Sequence, residues 1–527
     1  MILAGSSKNP DMKFFRYIRQ RAYRWHRVTS LVVALPILLW TVSGFLHPVV
    51  NSNALKPKVM NSSLPPAVLD TAKMRLSIRE ALEAHRIERI EKFRIVKLYG
   101  GFYYQVKLEG KDTLSYISCY NAQWLPKGDE QYAGWLATRF LSDPNGNGNN
   151  GSHHGSPVAA DVTALLNREA TVHHDRPNIG DIKLIKSFDL EYKKSNVLLP
   201  VYRVEFYRSD NIRLYVETST DKLAASIDQK KAWFNVFFAQ THSWAFLDGL
   251  GWGKNVIVGC FSLLCFISAV LGFCVYNILP KHRRRSGQPK RNRHRKLGNV
   301  FVLTTALFAL SGGWHAFHKL SPEAEKKSLA TVFETSRLNL DPSGLHQLVD
   351  AEDTITSVSA VRIGEEEYWQ VSSIANKKFK RSYVHMMTGE KLENGEDKYG
   401  RYLVAALSGQ PETDIIHSKQ IRSYNNRYSM MQRRLPVTEV SFDGKTFYYA
   451  ETSTNTLAAV VDQSDEAERF SFSNLHMHHY WEDWLGKNVG KTAKNIVLIS
   501  STLGLLMLAL TGMMIYWSKK RKARVSH

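Results

Sequence analysis

The chain has 527 residues, of which 44% are hydrophobic, with a mean hydropathy of −0.29 and a net charge of +22. This length admits several domains, and this hydropathy excludes a chain that lies in a bilayer throughout. The four cysteines form no CxxC or CxxCH spacing, which argues against a disulfide framework, a thiolate zinc site and c-type haem attachment.

The positive charge is concentrated. Residues 13–27 hold six Lys or Arg, residues 281–296 nine and residues 519–524 five, and none of these stretches contains an acid. Each abuts an apolar run, so the basicity reads as the positive-inside pattern of a membrane protein and not as a nucleic-acid footprint.

A basic N-terminus, 1–27, leads into a first span at 28–50, which is long, carries Pro36 and lacks the cleavage site of a signal peptide. An external α+β domain follows at 51–255. Within it SIREALEAHRIERIEKF (77–93) has a helical pattern, and GGFYYQVKLEGKDTLSYISCYNAQWL (100–125) alternates as half-buried strands do. DPNGNGNNGSHHGSP (143–157) reads as a loop, with His153 and His154 solvated. The aromatic stretch 230–255 is an interfacial segment before a second span at 256–279. A basic loop, 280–298, joins it to a third span at 299–320. A second external α+β domain, 321–495, closes with an interfacial segment at 468–495, then a fourth span at 496–517 and a basic tail, 518–527. With the basic clusters inside, both termini are cytoplasmic and both large domains lie beyond the membrane, in the periplasm of a Gram-negative cell.

Much of this is written twice. His26 and His47 stand 21 residues apart around one apolar run, and His294 and His315 stand 21 apart around another. Each second histidine follows a Ser-Gly pair, Ser43-Gly44 or Ser311-Gly312, by four residues. At about 1.5 Å per residue, 21 steps cover roughly 31 Å, a bilayer's hydrocarbon thickness. Outside the spans, VETSTDKLAASID (216–228) matches AETSTNTLAAVVD (450–462) at an offset of 234, which also carries His242 onto His476. The strand pattern at 100–125 recurs at 364–392. Both halves have one orientation, so the fold class is a membrane protein with a four-helix transmembrane bundle from a parallel internal duplication and two external α+β domains.

Ionisable side chains at membrane depth default to functional hypotheses. His26 and His294 are expected to meet at the cytoplasmic face, and His47, His315, His242 and His476 to gather at the external one. Imidazole pairs from facing helices, with no carboxylate or cysteine among them, suit b-type haem better than zinc or a di-iron site. His318, His478 and His479 have no counterpart in the other half and stand as reserve ligands or substrate contacts. The glycines Gly44, Gly272, Gly312 and Gly512 serve close helix packing or clearance for a flat macrocycle.

The spans, the WHR and RHRK starts, the Ser-Gly-plus-His ends and the external units together resemble the PepSY-associated transmembrane family. That family includes iron-regulated membrane proteins and haem-containing ferric-siderophore reductases of the bacterial inner membrane. The resemblance covers nearly the whole chain and implies two b haems, ligated from the histidines above, that carry electrons to a ferric siderophore or similar ferric chelate outside. No nicotinamide or flavin motif is present, so membrane quinol or a separate cytoplasmic reductase is the expected donor. Two other readings compete: a membrane-anchored ligand-binding or protease-inhibitory module without redox activity, and an iron or siderophore transporter. The spans hold no charged residue at mid-depth, which weighs against transport.

Overall fold

The computed structural model describes residues 10–50, 57, 59, 61–141, 179–278, 289–322, 327–429 and 432–525; the loop with His153 and His154 lies outside them. Helices α1 (Pro10–Val32), α2 (Ala34–Val50) and α3 (Ile78–Glu83) precede strands β1 (Arg89–Leu98), β2 (Gly101–Leu108) and β3 (Leu114–Ser118) and helix α4 (Gly128–Leu141). Strands β4 (Ile179–Ile185), β5 (Val201–Phe206), β6 (Arg213–Glu217) and β7 (Lys222–Ile227) lead to helices α5 (Gln229–Thr241), α6 (Trp252–Phe273) and α7 (Pro289–His318). Next come β8 (Phe333–Glu334), β9 (Thr354–Ile363), β10 (Glu366–Ala375), β11 (Lys378–His385) and helix α8 (Gly395–Ser408). The chain closes with β12 (His417–Ile421), β13 (Val437–Ser441), β14 (Phe447–Glu451), β15 (Thr456–Val461) and helices α9 (Gln463–Phe470), α10 (Tyr480–Leu485) and α11 (Lys487–Val525). Two compact units result: Met1–Lys56 with Trp233–Glu323 and Ser464–His527, and Pro57–Ala232 with Ala324–Gln463.

The first unit is the membrane unit. Among the described residues, Trp252–Asn277, Pro289–His318 and Lys487–Ser518 are long and apolar enough to cross a bilayer, and α1 with α2 adds a crossing if this pair, bent by 57°, is one span. Pro36 accounts for the bend: it has no N–H for the Val32 carbonyl, and its ring crowds that turn. Ordinary helical bonds resume on either side, from Val33 N–H to the Thr29 carbonyl and from Ile37 N–H to the Val33 carbonyl. Helix packing runs α1 to α6, α6 to α7, α7 to α11 and α11 to α2. The helices outrun the apolar limits read from sequence. Helix α7 starts at Pro289, a residue suited to a first turn, and so encloses His294.

The second unit joins the two external stretches, which were expected as separate domains. Sheet β3-β2-β1 gains β8 from the later stretch at its edge, through Arg89 with Glu334 and Ile90 with Phe333. Phe93, Tyr104, Phe333, Val371 and Trp369 share one core. The helix expected over 77–93 is also corrected. A Ser77–Glu80 capping box starts α3, but it ends at Glu83, Arg86 takes a left-handed φ of 55°, and β1 begins at Arg89.

Each half of this unit carries the same hydrogen-bonded relay. Gln105 donates to the Tyr116 hydroxyl and the Thr218 carbonyl, and Tyr116 donates to Asp129. Gln370 donates to Tyr383 and to the Thr452 carbonyl, and Tyr383 donates to Glu396. Gly128 and Gly395 open α4 and α8 because a Cβ there would lie 2.7 and 2.6 Å from Tyr116 and Tyr383. The repeated ETST segments are the turns of hairpins β6–β7 and β14–β15, with Asp221 and Asn455 at left-handed φ.

The glutamates of those segments meet. Arg434 bonds Glu217 at 2.9 Å and also holds Glu451, which in turn takes Lys222 at 2.7 Å; all but Lys222 are buried. Burial alone would raise the Glu451 carboxyl, but Lys222 and Arg434 overcome it and hold it well below the usual carboxylate range. Arg434→Ala leaves the buried Glu217 carboxylate without its arginine and Glu451 with Lys222 alone, and is expected to cost about 3–5 kcal/mol. A group with a depressed folded-state pKa stabilises above its unfolded value, about 4.3 for Glu, and loses that contribution as pH falls. Thermal unfolding followed by circular dichroism should therefore show a large deficit for R434A at pH 7 that narrows below about pH 4.5.

Candidate functional site

The membrane unit brings four of the predicted histidines into two pairs. At the end of the basic clusters, His26 of α1 faces His294 of α7 with ring centroids 6.5 Å apart and planes at 46°. His26 Nδ1 lies 2.9 Å from the Ser268 carbonyl oxygen, with Ser30 and Ser268 hydroxyls 2.7 Å apart beside it. His294 Nδ1 lies 3.2 Å from the Thr511 hydroxyl. Gly272 and Gly512 make room for the rings: a Cβ at either would stand 3.0 Å from His26 Cε1 or 3.3 Å from His294 Cε1.

At the aromatic end the pair is His242, just after α5, and His476, at the end of a π-helical turn over Ser471–His476. Their centroids are 6.3 Å apart and their planes cross at 83°. The Ser-Gly pairs now have a role. Ser43 holds His242 Nδ1 at 2.9 Å, and Ser311 holds His476 Nδ1 at 3.1 Å. Trp40 donates to the His242 carbonyl and stacks on Trp244. Burial among apolar neighbours pushes the His476 imidazole down to about 4, so it is neutral at physiological pH, the form that ligates metals.

His47 and His315 stand behind this pair. Phe238 packs between His47 and His242, with centroids 5.4 and 4.5 Å from each, and Phe472 packs between His315 and His476 at 4.8 and 5.1 Å. His315 is bonded to Glu468 and His318 lies 3.3 Å from Asp465, two contacts the sequence reading missed. His479 contacts Glu482 and Lys494. His478 is buried between Phe308 and Tyr480.

Two imidazoles holding one ion between them, with bonds of about 2 Å and roughly 1 Å from nitrogen to ring centre, would stand about 6 Å apart between centroids. Both pairs have that spacing. Among the described residues no three His, Cys, Asp or Glu side chains gather as a metal-holding group. Two imidazoles alone suit an iron whose other ligands come from a macrocycle, and they do not suit a tetrahedral zinc or a carboxylate-bridged di-iron centre. Seventeen helical steps separate His294 from Ser311 on α7, so the two pairs lie roughly 25 Å apart along it.

A family model described as the PepSY-associated TM region matches residues 188–520. No curated protein matches the chain.

The packing that sets the basic-end pair can be tested by cross-linking. With the native cysteines replaced, Ser30→Cys and Ser268→Cys should oxidise to a disulfide joining α1 to α6, because their hydroxyls are 2.7 Å apart. The link is read as two fragments that stay joined after cleavage between the helices. Fragments that separate without reductant would show that His26 does not pack on α6.

Proposed function

This chain belongs to the PepSY-associated transmembrane family, and on that premise we propose that it is a b-type haem protein of the bacterial inner membrane that reduces ferric chelates outside. In this reading α1 and α2 form one span and the bundle has four, built by duplication of a half. Both termini are cytoplasmic, and the unit of residues 57–232 and 324–463 is periplasmic. His26 and His294 hold the cytoplasmic haem, and His242 and His476 the external one. The observation that carries the proposal is the pair of imidazole couples at 6.5 and 6.3 Å.

A bound haem supplies a one-electron ferric/ferrous couple. The chain's own residues do the rest. Ser43 and Ser311 engage Nδ1 and so fix Nε2 of His242 and His476 as the ligating nitrogen. The Ser268 carbonyl and the Thr511 hydroxyl do the same at the other end. Phe238 and Phe472 hold the external rings in place and shield them from water. The substrate is a ferric siderophore or related oxygen chelate, whose hard ligands hold ferrous iron far more weakly once it is reduced. Quinol or a separate reductase is the donor.

Purified from haem-replete membranes, the protein should show a Soret band and, with dithionite, a b-type α band. His26→Ala with His294→Ala should remove about half the haem, and His242→Ala with His476→Ala the other half. His47→Ala and His315→Ala should keep both. A colourless wild-type preparation sinks the proposal.

The hydroxyl anchors make a finer prediction. Ser43→Ala and Ser311→Ala should each weaken haem retention at the external site about 10- to 100-fold, as loss of a partner behind a ligand does. Competition with apomyoglobin measures this, and the cytoplasmic site should be unaffected.

A further inference from the structure

The two turns that carry the external ligands differ at one position. In both, the residue two beyond the ligand histidine has a left-handed φ: 52° at Trp244 and 55° at His478. In the first half Trp244 stacks on Trp40 at 5.3 Å. In the second half His478 takes that place against Phe308, with ring centroids 5.4 Å apart. Phe308 lies 5.4 Å from His476 as well, so two imidazoles share one phenyl ring. His478 is 1% exposed; the Asn474 backbone contacts its ring, and neither ring nitrogen makes a hydrogen bond of ordinary geometry. A buried imidazole so weakly engaged keeps a nitrogen lone pair free to take a water or an ion. The backbone differs too. Helix α5 runs to Thr241 just before His242, whereas Ser471–His476 is wound as a π-turn, a form that recurs at functional sites.

We propose that His478 is a second imidazole ligand of the external site, able to take the metal in place of His476. This rests on the haem reading above. In the exchange one iron–imidazole bond breaks as another forms; no electron or proton is consumed. The first half has no such reserve, because Trp244 carries no nitrogen lone pair that can ligate.

The test compares the two halves in the full chain, by optical and electron paramagnetic resonance spectra of membranes and purified protein. His476→Ala should keep two six-coordinate, low-spin haems, one of them shifted. His242→Ala should convert one haem to a high-spin, five-coordinate form or lose it. His476→Ala with His478→Phe should then behave as H242A does. His478→Trp, which copies the first half and is expected to fold, should keep both wild-type signals; combined with H476A it should lose one. If H476A alone already loses its six-coordinate signal to the extent that H242A does, His478 is not a ligand. Absence of haem from the wild type would instead overturn the haem reading itself.

Discussion

The membrane unit turns on one constraint: in an apolar helix bundle, the group that satisfies an imidazole's δ nitrogen decides where the ring faces. Four histidines meet this demand with groups from the helices around them. His26 uses a backbone carbonyl of α6 and His294 a hydroxyl of α11, while His242 and His476 use serines of α2 and α7. Each bond ties a ligand candidate to a different element, so helix packing and ring orientation are one problem. The small residues follow from it. Gly272 and Gly512 exist to admit the rings of His26 and His294, a tighter requirement than general helix contact.

This explains how much of the site could be read from sequence. His26 and His294 were legible as a pair because one motif is written at both positions, and their rings do stand 6.5 Å apart. The external pair, His242 with His476, was not. Spacing favoured His47 and His315, 21 residues beyond His26 and His294, and the repeat offered His242 and His476 as rivals. The choice depends on side chains that periodicity does not weigh: serines reaching the δ nitrogens, and Phe238 and Phe472 standing between the two histidine sets. The first span, expected at 28–50, is bent by 57° between α1 and α2, where Pro36 stands. In the other unit, Ile87, Ile90 and Phe93 recur every three residues and imitate a helix face. A bulge between Ile90 and Lys92 is what lets Ile90 and Phe93 both point into the core of a strand. The two-residue strand β8, which ties the external stretches together, is too short to leave a signal at all.

The repeat is best understood through the places where it is broken. Glu217 and Glu451 are equivalent residues in matched hairpins, and a symmetric molecule would bury two like charges near each other without relief. One unduplicated arginine, Arg434, bridges them, with Lys222 as a second cation on Glu451. A single-copy residue therefore neutralises a duplicated liability, and it holds two stretches of chain in one folding unit.

The same logic applies in the membrane unit, where the halves share paired histidines but not their surroundings. Glu468 stands where the first half has Phe234, and His478 where it has Trp244. So the second half carries an imidazole–carboxylate contact and a buried imidazole, and the first half carries aromatic rings. Rings stacked on Trp40 and Trp244 make an apolar wall. Polar groups at the matching positions beside His476 give the second half chemistry the first half lacks. If the centre between His242 and His476 exchanges electrons with anything outside, its two approaches are chemically unequal, and the polar approach is through the second half.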